Sequence, residues 1–321
     1  MAKSLVAWWR RRREPPPSDS TLETDADAAG EGLPAGLLFA GLRVERLIGR
    51  GALGAVYLAR DPATGTALAL KTLPLGSGGG GGGGDASQQA LRQAFNMEAE
   101  AARRLRHPDI VQVLDAGQAQ GLGYLVMELV PGCDLARYTH PARLLPEPLV
   151  LEIGARLALA LAYAHRQGVL HRDVKPANVM LHLPTGHLKL MDFGLARVHD
   201  ATRTRSGLLL GTPAFMAPEL LAGTSADARS DLYALAAMLF QLLTGRLPHE
   251  GDSMGHLLQS IARDEPKPLH ALRPDLPPLL SALMARALSR APAQREADGL
   301  VLAEQLRAIA DASWPGGRRS R

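Results

Sequence analysis

The sequence predicts a bilobal α+β fold: a small antiparallel β-rich lobe with one key helix, then a larger, mainly helical lobe. Three observations predict it. Short apolar runs separated by turn residues crowd the first third of the chain. Long apolar stretches of helical length dominate after Leu135. The length, 321 residues, suits one large domain or two lobes sharing a cleft.

The elements follow in order. Residues 1–40 are rich in Arg, Pro, Ser, Asp and Gly and are expected to form a flexible basic extension. Its Trp8-Trp9 pair and Arg10–Arg13 offer weak contact with an acidic membrane surface or partner, although a solvated tail is the plainer reading. Val56–Ala59 and Ala67–Leu70 read as strands, with Asp61–Gly65 turning between them. Gly78–Gly84 is an unbroken glycine run and is expected to be a flexible loop within an insert at 76–84. A helix is expected over Gln88–Leu105, then strands at Ile110–Val113 and Tyr124–Glu128. Leu149–Gln167 and Asp231–Leu243 are the clearest helices of the second lobe.

Composition narrows the function classes. The apolar fraction is 46% and the formal charge +4, ordinary values for a globular protein. Only five of the 36 basic residues are lysines, so Lys71 and Lys175 stand out for being lysine at all. The one dense basic cluster lies in the extension, and no nucleic acid partner is expected. One cysteine, Cys133, forbids an internal disulfide and points to a reducing, cytoplasmic setting. The apolar run Leu149–Leu170 carries Glu152, Arg156, His165 and Arg166, which marks a core helix and not a transmembrane segment.

Four motifs carry chemistry. Gly49-Arg50-Gly51-Ala52-Leu53-Gly54-Ala55-Val56 spaces glycines so that backbone can approach phosphates. Alone this signal is weak, but a strand follows it, where a dinucleotide-binding fold would place a helix. Lys71 ends the next strand and can bind phosphate oxygens; Glu98 or Glu100 on the following helix can hold it, and Glu98 has the better spacing. His171-Arg172-Asp173-Val174-Lys175-Pro176-Ala177-Asn178 is the strong signal. Asp173 can orient a hydroxyl and take its proton, Lys175 can neutralise transferring charge, and Asn178 can offer oxygen to Mg²⁺. Asp192-Phe193-Gly194 follows nineteen residues after Asp173 and supplies a second metal oxygen from Asp192.

In this order, and with Ala217-Pro218-Glu219, Asp231 and Arg295 behind them, the motifs resemble the eukaryotic-type serine/threonine protein kinases, closest to those of bacteria. The resemblance runs from Leu42 to Ile309. It implies a kinase domain over 41–310, with a small lobe at 41–130, a large lobe at 134–310 and a short tail at 311–321. It implies ATP with Mg²⁺ (Mn²⁺ as a substitute) and protein Ser/Thr hydroxyls as substrates, an activity of class EC 2.7.11.1. It assigns a nucleotide site to Ile48, Gly49, Gly51, Gly54, Val56, Ala69, Lys71, Met127, Glu128, Val130, Asp134 and Met180. Val56 and Ala69 are expected above the adenine and Met180 below it. Met127 is the gatekeeper, Glu128 and Val130 present backbone groups, and Asp134 takes the ribose. Asp231 is expected to brace the catalytic loop and Arg295 to pair with Glu219.

The resemblance also makes Thr212 a contact of the catalytic Asp and Lys. Arg172 implies control by phosphorylation of the activation loop, with Thr204, Ser206 and Thr202 as acceptors. It implies a transient homodimer through the small lobe. Two departures are noted. Leu53 replaces an aromatic residue at the glycine-loop tip, and the glycine run loosens the link between Lys71 and the Glu98 helix, so their pair is expected to be unformed at rest. Sensing is expected to fall to a partner, the extension or another polypeptide. Two rivals stay open: a binding scaffold without transfer activity, and a small-molecule phosphotransferase. Intact Lys71, Asp173, Asn178 and Asp192 oppose the first, and Ala217-Pro218-Glu219 opposes the second.

Overall fold

The computed structural model describes residues 32–51, 54–75, 85–193 and 213–315. The small lobe is a six-stranded sheet built from β1 (Leu38–Phe39), β2 (Leu42–Gly51), β3 (Gly54–Arg60), β4 (Ala67–Pro74), β5 (Val113–Ala119) and β6 (Leu122–Glu128). Its strand order is β1-β2-β3-β4-β6-β5, and every pairing is antiparallel. Alternation along β3 turns Ala55, Tyr57 and Ala59 into one apolar layer with Phe39, Val44 and Leu70. The other face receives α1 (Asp85–Arg104), whose Leu91, Phe95, Ala99 and Ala102 pack on Ala69, Leu73, Leu125 and Met127.

The large lobe has a three-stranded sheet, β7 (Cys133–Asp134), β8 (Val179–His182) and β9 (His187–Leu190), laid over helices. The helices are α2 (Glu147–Arg166), α3 (Pro218–Leu221), α4 (Ala228–Thr244), α5 (Met254–Arg263), α6 (Leu269–Leu272), α7 (Pro278–Ala287) and α8 (Gly299–Ser313). α2 passes the length and composition test for a membrane span, yet most of it is buried inside the lobe. Leu151, Ile153, Leu157 and Leu161 of α2 meet Leu235, Leu239 and Leu306 in one core. Each such side chain contributes about 1.5–3 kcal/mol through burial. α4 starts at a reciprocal cap: Asp227 accepts from the Ser230 N–H, and Ser230 accepts from the Asp227 N–H. That cap fixes the start of the helix carrying Asp231.

One expected strand is misplaced. Ile110–Val113 is not a strand; only Ile110 bridges, in parallel, to Leu190. The segment is apolar because it is wedged between lobes. Leu190 donates to Asp109 O (2.8 Å), Val111 to Leu190 O (3.0 Å), and Glu128 to Gln112 O (3.1 Å). The true strand, Val113–Ala119, has a polar, exposed outer face because it closes the sheet edge, and its sequence hides it. Arg156 of α2 clamps the segment's start: its guanidinium grips the Asp109 carboxylate and donates to Gly186 O at 2.9 Å.

Candidate active site

The cleft between the lobes collects the motif residues. Between β2 and β3 the three glycines have different reasons to be glycine. At Gly54 a Cβ would lie 1.8 Å from Thr72 O, so close sheet packing demands glycine there. At Gly51 a Cβ would meet nothing within 4 Å, and at Gly49 it would meet only Val56 at 4.0 Å. Neither has a positive φ. Packing and backbone conformation therefore leave these two glycines unexplained, and the space beside them is open. Ile48 falls at a register shift between Leu47 and Gly49.

Behind this flap, Val56 opposes Lys71 across β3–β4, and Ala69 opposes Met127 across β4–β6. Ala69 and Met127 are buried and Val56 packs on the same cluster. From the other lobe, Met180 of β8 stands opposite Asp134 of β7 and Lys189 of β9. Asp134 Oδ1 accepts from the Ala136 N–H at 3.0 Å, which fixes the carboxylate at the cleft's edge. Glu128 and Val130 lie at the join between the lobes, half-buried. The Glu128 N–H is already committed to Gln112 O. Of its two backbone groups, the N–H is used within the fold.

The catalytic loop is held from below by a single carboxylate. Asp231, 2% exposed, accepts from the backbone N–H of His171 (2.9 Å) and Arg172 (2.7 Å), and its Oδ2 lies 2.8 Å from His165 Nε2. Arg172 adopts a left-handed conformation, φ 63°, that lets both N–H groups reach it. His171 is fully buried. Its Nε2 donates to Met191 O (2.7 Å), its Nδ1 accepts from the Asp173 N–H (3.2 Å), and its ring stands edge-on to Phe193. The backbone of Asp173 is thus fixed through His171 to the strand leading to Asp192.

Asp173 carries two side-chain partners. Lys175 Nζ lies 2.7 Å from its Oδ2, and Asn178 Nδ2 donates to the same oxygen at 2.9 Å and to Asp173 O at 2.7 Å. With its amide nitrogen so used, Asn178 is left to present its amide oxygen. Met191 donates to Asn178 O at 2.8 Å, so Asn178 and Asp192 sit at the ends of neighbouring strands. Among the described residues no group of three His, Cys, Asp or Glu could hold a metal. Two oxygens, one of them anionic, nevertheless fit Mg²⁺, which completes its shell with water and phosphate oxygens.

Lys71 and Glu98 are not paired with each other. Lys71 Nζ lies 2.7 Å from Asp192 Oδ1 instead. Asp192 itself has a left-handed backbone, φ 61°. Glu98 is on the inner face of α1, 8% exposed. Thr212, Thr202, Thr204, Ser206, Gly194, Leu53 and the glycine run lie outside the described residues.

Lower in the large lobe, Arg295 grips Glu219 through both oxygens at 2.8 and 2.7 Å, with Ser230 Oγ donating to Glu219 at 2.7 Å. The Arg295 guanidinium also lies over the Tyr233 ring, 4.8 Å from its centre. Burial pushes the Glu219 carboxyl up, but the bonds from Arg295 and Ser230 outweigh it and hold it below its ordinary range. His165, Arg156 with Asp109, and Lys189 went unread as site-supporting residues in the sequence. Lysine scarcity, which singles out Lys71 and Lys175, points equally to Lys189.

Known proteins resemble this chain in sequence and in fold. The family described as Protein kinase domain matches residues 42–306. The serine/threonine-protein kinase pkn3 of Myxococcus xanthus is 38% identical over 278 residues, covering 83% of this chain and 49% of that protein. Serine/threonine-protein kinase PknJ of Mycobacterium tuberculosis is 39% identical over 275 residues, 82% of this chain and 44% of its own. The chain thus spans half or less of the length of these curated relatives. In fold it is similar to the crystal structure of Rad53 1-466 in complex with AMP-PNP, with a TM-score of 0.68 at 23% identity, covering 83% of this chain and 64% of that one. This chain belongs to the protein kinase domain family, of the eukaryotic type shared with the serine/threonine kinases of bacteria.

Proposed function

We propose that this chain is a serine/threonine protein kinase of class EC 2.7.11.1, moving the γ-phosphate of ATP to protein hydroxyls. The observation that carries this is Asp173 held by Lys175 and Asn178, facing Lys71 and Asp192 across one cleft. Asp173 orients the substrate hydroxyl and takes its proton. Lys175, in contact with that carboxylate, lies where it neutralises charge on the group being transferred. Lys71 binds phosphate oxygens, and Gly49 and Gly51 let the backbone approach them. Val56, Ala69 and Met180 enclose the adenine, Met127 closes its back, and the Glu128 carbonyl with Val130 reads its edge. Asp134 receives the ribose.

Asn178 and Asp192 would hold Mg²⁺, which supplies charge neutralisation of the phosphates when bound; Mn²⁺ suits the same oxygen donors. For that, Lys71 must release Asp192. Glu98, buried on α1, is the group that takes the ammonium over.

The finer assignments rest on the same reading. Residues 41–310 form the catalytic unit. Thr212 contacts Asp173 and Lys175. Activation-loop autophosphorylation, at Thr204, Ser206 or Thr202, supplies an anion for Arg172. In support, Arg172 Nε is buried with no hydrogen-bond partner among the described residues. Mass spectrometry after incubation with ATP and Mg²⁺ checks this; an active enzyme with an unmodified loop would refute it. Exposed Leu38 and Leu47 support a homodimer through the small lobe, and the lone Cys133 supports a cytoplasmic setting.

The test of the main reading pairs wild type with Asp173→Asn. The variant is expected to bind ATP within about twofold of wild type and to lose about 10²–10⁴ in transfer rate. Equal transfer by the two proteins would overturn the assignment.

A further inference from the structure

We infer that Lys189 is a positioning residue for the adenine site: with Glu128 it forms a strap that sets the gap between the site's roof and floor. The inference rests on the nucleotide reading above and deepens it.

Glu128 ends β6 in the small lobe, next to Met127, whose cross-strand partner is Ala69 in the roof. Lys189 is in β9 of the large lobe, and its cross-strand partner is Met180, the floor. The two charges join these layers: Lys189 Nζ lies 2.6 Å from Glu128 Oε1. Two further bonds fix the joint. The Gln112 N–H donates to the same Glu128 oxygen at 2.8 Å, and Lys189 Nζ donates to Ile110 O at 3.2 Å. Glu128 also donates its own N–H to Gln112 O at 3.1 Å. The wedge segment 110–112 thus lies inside the strap, touched by both of its ends.

The geometry has a consequence for Glu128. With its N–H and its carboxylate both tied to the wedge, Glu128 is held at the peptide plane before it and at its side chain, which restrains the backbone from which the carbonyl offered to adenine projects. Both side chains are largely shielded, 18% exposed for Lys189 and 33% for Glu128, so the pair is only partly screened by solvent. A surface pair of this kind contributes little; one bridging two movable bodies beside a ligand acts through the position of both. Lysine at 189 in a chain that otherwise prefers arginine suits this: a compact ammonium reaches one carboxylate oxygen and one carbonyl together.

The experiment uses Lys189→Met, which keeps the apolar stem and removes the charge, and Glu128→Gln, which keeps an acceptor for Gln112. Adenosine and magnesium tripolyphosphate serve as separate probes in titration calorimetry, beside KM for ATP and kcat on a basic protein. Lys189→Met is expected to weaken adenosine binding and raise KM for ATP about fivefold to tenfold, with kcat and tripolyphosphate binding within about twofold. Glu128→Gln is expected to move the same two quantities in the same direction by less. Equal loss for adenosine and tripolyphosphate would assign the strap a general folding role and overturn the inference. Adenosine binding like wild type's in both variants would overturn it too. Wild-type protein that binds neither ATP nor adenosine is the distinct result that sinks the nucleotide reading and the strap together.

Discussion

The floor of the catalytic cleft and its small-lobe wall are built on different terms. On the floor, the loop from His171 to Asn178 is tied at several points: Asp231 beneath, Met191 O behind, Asn178 and Lys175 on Asp173, with Arg172 Nε left over. On the wall, Lys71 is paired with Asp192 and not with Glu98, which lies on the inner face of α1. A site held by fully satisfied buried groups is preorganised. A site whose cation can change partners is a place where activity can be set. On the proposed reading, the contrast places chemistry in the large lobe and control in the small one.

Asp231→Ala attacks the floor and is expected to have the largest effect. It leaves two buried backbone donors and His165 without their acceptor, at a cost of about 3 kcal/mol or more. Urea unfolding measures that cost, and a stability unchanged from wild type would break the contrast. Lys71→Met attacks the wall and is expected to lower kcat by about 10²-fold while leaving the urea midpoint close to wild type. A large drop in midpoint would mean that Lys71 is part of the rigid frame after all.

Glu98→Gln sharpens the comparison further. If Glu98 takes Lys71 over from Asp192 during turnover, the variant loses about tenfold in kcat. Unchanged kcat would leave the Asp192 pair as the only working arrangement.

Titration gives the smallest effect and compares a buried and a half-buried group of the large lobe. His249 is 2% exposed, with Nδ1 3.4 Å from Ser260 Oγ, and burial holds its ring below the ordinary imidazole value of 6.5. A depressed folded value means that the unfolded chain takes up the proton first as pH falls. Stability contributed by the neutral ring is therefore complete above about pH 6.5 and is lost as pH falls below it. Glu219, held below its ordinary value of 4.5, acts with the same sign in a lower window. Unfolding free energy measured against pH is expected to decline first through His249 and then through Glu219. His249→Phe should flatten only the upper limb, and a parallel shift of the whole curve would refute the assignment.

Much of this was legible in the sequence, and the reason is local. The residues from His171 to Asn178 touch one another or their near neighbours, so spacing alone places them. The same holds for the strand that carries Ala69 and Lys71. What spacing could not give was the choice among partners far apart in the chain. That Lys71 sits on Asp192 and not on Glu98 is a contact between segments far apart in the chain. The wedge at 110–112 looked like a strand because apolarity reports burial and not the partner that does the burying. Lys189 and Glu128 are 61 residues apart, and only the packing of two sheets brings them together.

The most direct measurement of the central claim is transfer of labelled γ-phosphate from ATP to a basic protein by wild-type enzyme, followed by acid hydrolysis and identification of the labelled amino acid. The expected result is Mg²⁺-dependent phosphoserine or phosphothreonine. Label found on tyrosine, or ATP bound with no label transferred, would contradict the account.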